Sequence, residues 1–472
     1  MLRKVLTVSC ALMGSASLAS QADAQTNPVV TPAPAPDVAT SAPAPTPNGP
    51  ITPTVPEQTK TTEVVPKAAN GAPAAAPPPG AIARAAQVVA DLVRIYGILR
   101  PTVTFSSHAV ESFSNPNAGA VTAAANPVLA NLPDDSRLSF QVAQTRFGLW
   151  VGEKESVRGH LEFDFIDFAK ASPTVQALLR LRIAAVEWSP TERLTIAAGQ
   201  DWDLHAPLNP HGVNLVGGHF QSGNTGFMRH QVKGIYKLGD TLELAGAIGL
   251  QGSNATSKDG PIELARMPTL ALRATGLLGK LGKLGLSGII TRLRFAPGTN
   301  ERYAVAGAAG AFGELLPTAA LAVRFEAYIG RNLANLGLLG LSNGALADDI
   351  DEVGAWLSAR QSLFEKHAVY GSYGFAHVFD GDDVVASYGY PPTLPGIVPA
   401  LSSATPAGTG PGIRWNTAAR LGYDYKPVKA LALVAEGFWY KTRHVLLAVD
   451  DTRVGSDTRH AFGVDVAMVY TF

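Results

Sequence analysis

From about Ile95 to Phe472, apolar residues recur at every second position in one stretch after another, and this period of two limits the fold most. A strand sends successive side chains to opposite faces, so each stretch has one apolar and one polar face. Over 157–168, Leu161, Phe163 and Phe165 alternate with His160, Glu162 and Asp164. Over 177–188, Leu179, Leu181 and Ile183 alternate with Arg180 and Arg182. Leu321, Val323 and Phe325 oppose Arg324 and Glu326, and Leu421, Tyr423 and Tyr425 oppose Arg420 and Asp424. At the C-terminus Phe462, Val464, Val466, Met468, Tyr470 and Phe472 share one face. We count sixteen such stretches, from 94–107 to 460–472. Most exceed the usual globular strand of about five to six residues.

The connections alternate in length. "EKES", "SPTE", "LGD", "GKLGK", "ELLP", "EK" and "PVK" are short, whereas those near 108–137, 169–176, 204–226, 253–263, 297–301, 331–352, 380–412 and 443–459 are long or variable. An even strand number with this alternation puts both ends of the strand array on the short-turn side.

The apolar faces need a partner. Beyond the first 24 residues we find no run of 18 apolar residues, so a helical membrane span is excluded although mean hydropathy is +0.11. Lys+Arg 38 balances Asp+Glu 38, which gives no field for nucleic acid. A closed barrel in a membrane meets every condition: apolar side chains face lipid, polar ones face a lumen, and no strand edge is left free. A soluble sandwich also alternates, but it would be unusually large at this strand count. The expected fold is all-β, a 16-stranded antiparallel transmembrane β-barrel over 94–472. Trp188, Trp202, Trp439, Tyr470 and Phe472 stand at strand ends, where an interfacial aromatic girdle is expected.

The N-terminal part is different. "MLRKVLTVSCALMGSASLASQADAQ" has basic residues, an apolar core and a small-x-small site, as in a secretory signal peptide over 1–24. Cys10 is the single cysteine, so a mature chain would have no disulfide. Residues 25–80 are Pro/Ala-rich and nearly free of large apolar side chains, which predicts a disordered periplasmic linker. "GAIARAAQVVADLV" has helical spacing, so a short helix is expected over 81–93.

"YGILRPTVTFSS", "SRLSFQVAQTRFGLWVGE", "HLEFDFIDF", "LLRLRIAAVEW" and "LTIAAGQDWDL" resemble the opening strands of trimeric outer-membrane porins, most nearly the DcaP-like subfamily. The likeness covers about 95–240 and the last strand. It implies a homotrimer in the outer membrane of a Gram-negative bacterium, among outer-membrane lipid and lipopolysaccharide. It also implies delivery to the barrel assembly machinery through the terminal aromatic, and passive diffusion of small hydrophilic solutes or ions without a cofactor. The loop "HAPLNPHGVNLVGGHFQSGNTG" after the fifth strand would then fold into the lumen and form the constriction.

Charges from the flanking strands are the candidate constriction residues. Arg180, Arg182, Arg229 and Lys233 are read as inward, with Arg146 joining them if the second strand bulges near Gln144. Glu162, Asp164, Asp201 and Asp203 are the nearby acids. Opposed signs across a pore would order polar solutes; alternatively Arg180 and Arg182 pair with Glu162 and Asp164 across a hairpin and brace the wall. Further basic residues (Arg273, Arg292, Arg324, Arg420) point to a mild anion preference. His205, His211 and His219 are expected to be solvated in the loop, with pH-dependent conductance as the alternative. The acidic runs 347–352 and 380–383 match no EF-hand spacing and are read as solvated loops with no metal site; the alternative is Ca²⁺ binding or a divalent-ion bridge to lipopolysaccharide. No G-x-S-x-G, H-E-x-x-H or P-loop occurs, so an enzyme is not expected. The rival reading is a non-channel barrel that anchors the envelope through its linker or adheres through its outer loops.

Overall fold

In this computed structural model the described residues are 92–108, 110, 118, 136–153, 156–166, 179–214, 218–250, 267–295, 302–341, 349–379, 413–447 and 454–472. The expected signal peptide, the linker and residues 81–91 of the expected helix lie outside them.

The described strands form one closed antiparallel barrel. Strand 1 has two collinear segments, Val93–Leu99 and Thr102–Ser106, and so has strand 2, Arg137–Gln141 and Arg146–Gly152. Strands 3 to 9 are Val157–Asp164, Arg180–Thr191, Leu194–Trp202, Met228–Leu238, Leu242–Gly249, Thr269–Leu277 and Gly282–Phe295. Strands 10 to 16 are Arg302–Thr318, Leu321–Arg331, Asp351–Phe364, His367–Val378, Ile413–Val428, Leu431–Leu447 and Val454–Thr471. Each pairs with its chain neighbour, and strand 16 closes the ring on both segments of strand 1. The sixteen-stranded barrel read from the sequence is the fold found. Among the described residues no helix is long and apolar enough to cross a membrane, which says nothing about a β-barrel.

The break in the first two strands fixes a phase that matters later. Pro101 has no N–H for the ladder. Ile98 pairs with Arg146 and Thr102 with Gln141, so four steps on strand 1 face five on strand 2. The extra residue makes a bulge at 142–145, and a bulge of one residue inverts the faces beyond it. Leu138 and Phe140 face outward before it, and Phe147 and Val151 after it. Arg146 is thereby turned into the lumen.

Along the other strands the outer face is apolar and the inner face polar, as expected for lipid outside and a hydrated lumen inside. Val232, Leu286, Leu357, Leu421, Phe462 and Val466 are exposed, while Glu162, Gln231, Glu326, Asn416, Glu436 and Asp465 are buried in the interior. Trp188, Tyr470 and Phe472 are exposed, and Trp439 pairs in register with Phe462 on the same outer face. Arg292 departs from expectation. It pairs in register with Val305, an exposed residue, and its guanidinium lies 4.2 Å over the Tyr303 ring, so it sits on the outer face and adds nothing to the lumen.

Candidate functional site: the lumen and its inward loop

The loop after strand 5 leaves the wall at Asp203 and returns at Phe227, where the Asp203 N–H donates to the Phe227 carbonyl. Between these points its side chains follow the inner wall in chain order. Leu204 packs with Ala245, Ala271 and Ile289 of strands 7 to 9. Leu208 packs with Phe312 and Trp356 of strands 10 and 12, and its N–H donates to Glu326 of strand 11. Val213 packs with Tyr370, Val434 and Ala467, and its N–H donates to Glu436 of strand 15. Asn214 accepts from Gln144, the residue placed by the strand 2 bulge. An irregular backbone is tolerated at membrane depth only where protein or water satisfies it, and wall carboxylates and amides do so here.

The turn at 218–226 is held hard against the far wall. His219 and Gln221 both have φ 59°, in the left-handed region where non-glycine residues are uncommon. Gly223 has φ 105° and stands against the Ala355 backbone, where a side chain would collide. Ser222 accepts from Asn416, and His219 Nε2 lies 2.8 Å from Ser372 Oγ.

This placement corrects the reading of the three histidines as solvated. His205 and His219 are buried, on Ser287 and Ser372, and His211 Nδ1 lies 3.1 Å from Ser358 Oγ. Burial pushes the imidazoles of His205 and His211 down to about 4, helped by Arg229 for the first and by Arg324 and Arg360 for the second. Burial also pushes His219 well down. Their neutral forms hold the docked loop. A free imidazole titrates near 6.5, so docking is at full strength above that pH and weakens as pH falls towards 4. We expect protease protection of the loop to be constant from pH 8 to 7 and to decline below about 6; protection that stays flat down to pH 4 would refute this.

The charged residues separate into two groups. Arg182 is buried, with Nε 2.7 Å from Glu162 Oε1 and Nη1 3.0 Å from Asp164 Oδ2. Arg180 forks onto the same Asp164 at 2.8 and 2.6 Å, and Tyr96 donates to Glu162. Arg229 forks onto Asp203 at 2.9 and 3.1 Å and also donates to the Leu250 and Leu336 carbonyls. Arg182, Arg229, Glu162, Asp164 and Asp203, expected at the constriction, are therefore wall and loop braces. Trp202, expected at the lipid interface, is also placed otherwise: its ring lies 5.5 Å from the Arg182 guanidinium and lines a cavity of the lumen.

That cavity of about 280 Å³ lies between the loop residues Asp203, Leu204, Pro207 and Asn209 and the wall residues Arg146, Trp202, Lys233 and Arg273. Lys233 pairs with Asp201 at 2.5 Å and Arg273 with Glu243 at 3.1 Å. Arg146 is different. Its nearest carboxylate is Glu162 at 3.6 Å, already held by Arg182, and its Nε and Nη2 make no hydrogen bond. Among the described residues, Arg146, Arg180 and Arg182 gather around the acids Glu162 and Asp164.

One part of the site has a weak signal in the sequence. The segment after strand 11, "NLANLGLLGL" at 332–341, turns inward and buries Leu333, Leu336, Leu338 and Leu341. It pairs with the inward loop through Gln221 N–H to Leu339 O and Leu339 N–H to Thr225 O. Five leucines within ten residues of a long connection are the available cue. The neighbouring acids are not a free cluster either: Asp351 pairs with Arg331, and Glu352 accepts from Tyr328 and the Leu341 N–H.

No family model matches the chain, and no curated protein matches it. Solved structures do. The outer membrane channel DcaP of Acinetobacter baumannii superimposes with a TM-score of 0.58 at 15% identity, over 80% of this chain and 97% of that one. The anion-selective porin from Comamonas acidovorans superimposes with a TM-score of 0.50 at 13% identity, over 80% of this chain and 99% of that one. By its closed barrel and by these likenesses, the chain has the fold of the outer-membrane porins.

Proposed function

We propose that this protein is an outer-membrane porin that passes small hydrophilic solutes by passive diffusion, with a mild preference for anions. The single observation that carries this reading is the cavity between the inward loop and the wall of strands 2, 5, 6 and 8, lined by Arg146, Lys233 and Arg273. A barrel of sixteen strands is wide enough for an aqueous channel. The inward loop follows the inner wall and narrows the lumen beside these cations. Asp203, which lines the cavity, is held by the buried Arg229, and Lys233 and Arg273 are paired with Asp201 and Glu243, so the positive balance rests on Arg146, whose nearest carboxylate is already held by Arg182. In this reading Arg146, Arg180, Lys233, Asp201 and His211 are the constriction residues that a passing solute meets. The anion preference named for the Comamonas porin agrees with it.

Reversal potentials in planar bilayers under a salt gradient test the proposal. One unit charge at about 5 Å in water-like surroundings changes an ion's energy by about 0.8 kcal/mol. That is about fourfold for each ion and of opposite sign for anion and cation, so Arg146→Gln is expected to lower the anion-to-cation permeability ratio by roughly tenfold or more, with little change in unfolding, because neither Nε nor Nη2 of Arg146 makes a hydrogen bond in the wall. An unchanged ratio would move the constriction elsewhere. A wild-type barrel that assembles but carries no current would favour the anchor or adhesin role instead.

A further inference from the structure

The inward loop and the segment 332–341 together reach across the lumen. On one side the turn of the loop stands on strands 12 to 14, with Gly223 against the Ala355 backbone, His219 on Ser372 and Ser222 accepting from Asn416. On the other side Phe220 packs on Ile166, which follows strand 3, with Leu339 of the second segment and Ala143 of the strand 2 bulge beside them. Phe220 and Ile166 are both buried. Strands 12 to 14 do not adjoin strands 2 and 3 in the ring, so these contacts make a bar across the barrel rather than a lining of its wall.

Behind the bar is the sector of strands 15, 16 and 1. Its inward Glu436, Asp465 and Thr102 are buried. Val213 and Asn214 of the loop occupy it, the first packed on Val434 and Ala467 and the second accepting from Gln144. In front of the bar, Trp202, Lys233 and Arg273 line the lumen cavity. The bar depends on the second segment. The Gln221 N–H donates to the Leu339 carbonyl at 3.1 Å, and the Leu339 N–H to the Thr225 carbonyl at 3.2 Å. The segment is moored in turn. The Leu336 carbonyl accepts from Arg229, which also forks onto Asp203 at the root of the loop, and the Leu341 N–H donates to Glu352.

A barred pore admits only what fits on the free side of the bar, since pore width is one of the terms that select solutes. We propose that this bar sets the upper size limit of the solutes that pass, and that Leu339 is its positioning residue. Leu339 acts through Phe220 rather than on the solute. Its two backbone bonds fix the turn of the loop, and its side chain closes the contact of Phe220 with Ile166. That contact is apolar and excludes water. Serine in place of either large side chain loses the packing and brings a hydroxyl to the contact, so water enters and the bar parts from strand 3. The proposal rests on the reading of the barrel as an open channel and adds to it which solutes are too large.

The test uses the full barrel in lipid vesicles, with swelling rates read for uncharged sugars from a pentose to a tetrasaccharide. Leu339→Ser with Phe220→Ser should raise the tetrasaccharide rate severalfold relative to the pentose rate. Leu339→Ser alone should raise it in the same direction. Leu339→Met, which keeps the apolar contact and both backbone bonds, should keep the wild-type limit. Heat-modifiability on gels confirms that each variant is folded, and Leu339→Ser carries the test if the double variant is not. A folded Leu339→Ser with the wild-type size profile, or a Leu339→Met that loses the limit as fully as the serine variant, would overturn the proposal and leave the channel reading intact. A wild type that assembles but passes no pentose would overturn the channel reading, and this proposal with it.

Discussion

Arg182→Met is expected to destabilise the barrel by about 3–5 kcal/mol, the cost of removing one partner from a buried ion pair. Arg182 is 1% exposed and is shared between Glu162 and Asp164, both buried in the interior. Without it, Glu162 keeps only the Tyr96 hydroxyl and the distant Arg146, while Asp164 keeps its fork from Arg180. The uncompensated charge is therefore centred on Glu162. Adding Glu162→Gln to Arg182→Met should recover a large part of the loss, which a purely steric account of the methionine would not allow. Urea unfolding in lipid vesicles, followed by tryptophan fluorescence, measures both. A loss below about 1 kcal/mol for Arg182→Met, or no recovery in the double variant, would show that the cluster does not brace the wall.

The two arginines at 180 and 182 illustrate what the sequence allowed and what it withheld. Their alternation with Leu179 and Leu181 placed both on the inner face, but Ile183, read as outward, is buried inside with them, because a bulge at Arg182 shifts the phase. Whether they meet solute or carboxylate is not local. It depends on the register with strand 3, where Asp164 lies opposite Arg180 and a bulge brings Arg182 within reach of both acids. Arg292 failed on its phase. Leu284, Leu286 and Ile290 share its parity on strand 9 and are exposed, and the pairing with Val305 puts Arg292 on that same outer side. Arg146 succeeded because the break near Gln144 was part of the reading, and a one-residue bulge has a single geometric consequence. The histidines were misplaced because a loop rich in Gly, Asn and Pro reads as solvated, whereas wall serines at 287, 358 and 372 receive all three. Those serines are separated from the loop by up to 153 residues, and no pattern within the loop announces them.

Deleting Phe472 is expected to reduce the folded, heat-modifiable barrel in cells about tenfold or more. The seam between strands 16 and 1 is short at this end: below the break at Pro101, only Ile98 with Thr471 and Leu99 with Tyr470 are paired. Phe472 extends it. Its N–H donates to the Gly97 carbonyl at 3.1 Å, and its carbonyl accepts from the Gly97 N–H at 3.0 Å. Its ring lies across Gly97, in the place a side chain there would occupy, 6.1 Å from the Phe147 ring. Two net hydrogen bonds of about 1 kcal/mol each account for about 2 kcal/mol at a seam that has few others. Two further variants separate the backbone from the ring. Phe472→Ala keeps both hydrogen bonds and loses the ring. Gly97→Val keeps Phe472 but forces its ring off the seam. If the terminal aromatic also serves delivery to the assembly machinery, Phe472→Ala should assemble poorly in cells yet refold from urea into detergent nearly as well as the wild type. Gly97→Val should fail in both settings, because its defect lies in the closed barrel itself. Normal assembly of Phe472→Ala in cells would reduce the role of Phe472 to its two backbone hydrogen bonds. Normal refolding of Gly97→Val would show that the ring is not needed to close the seam.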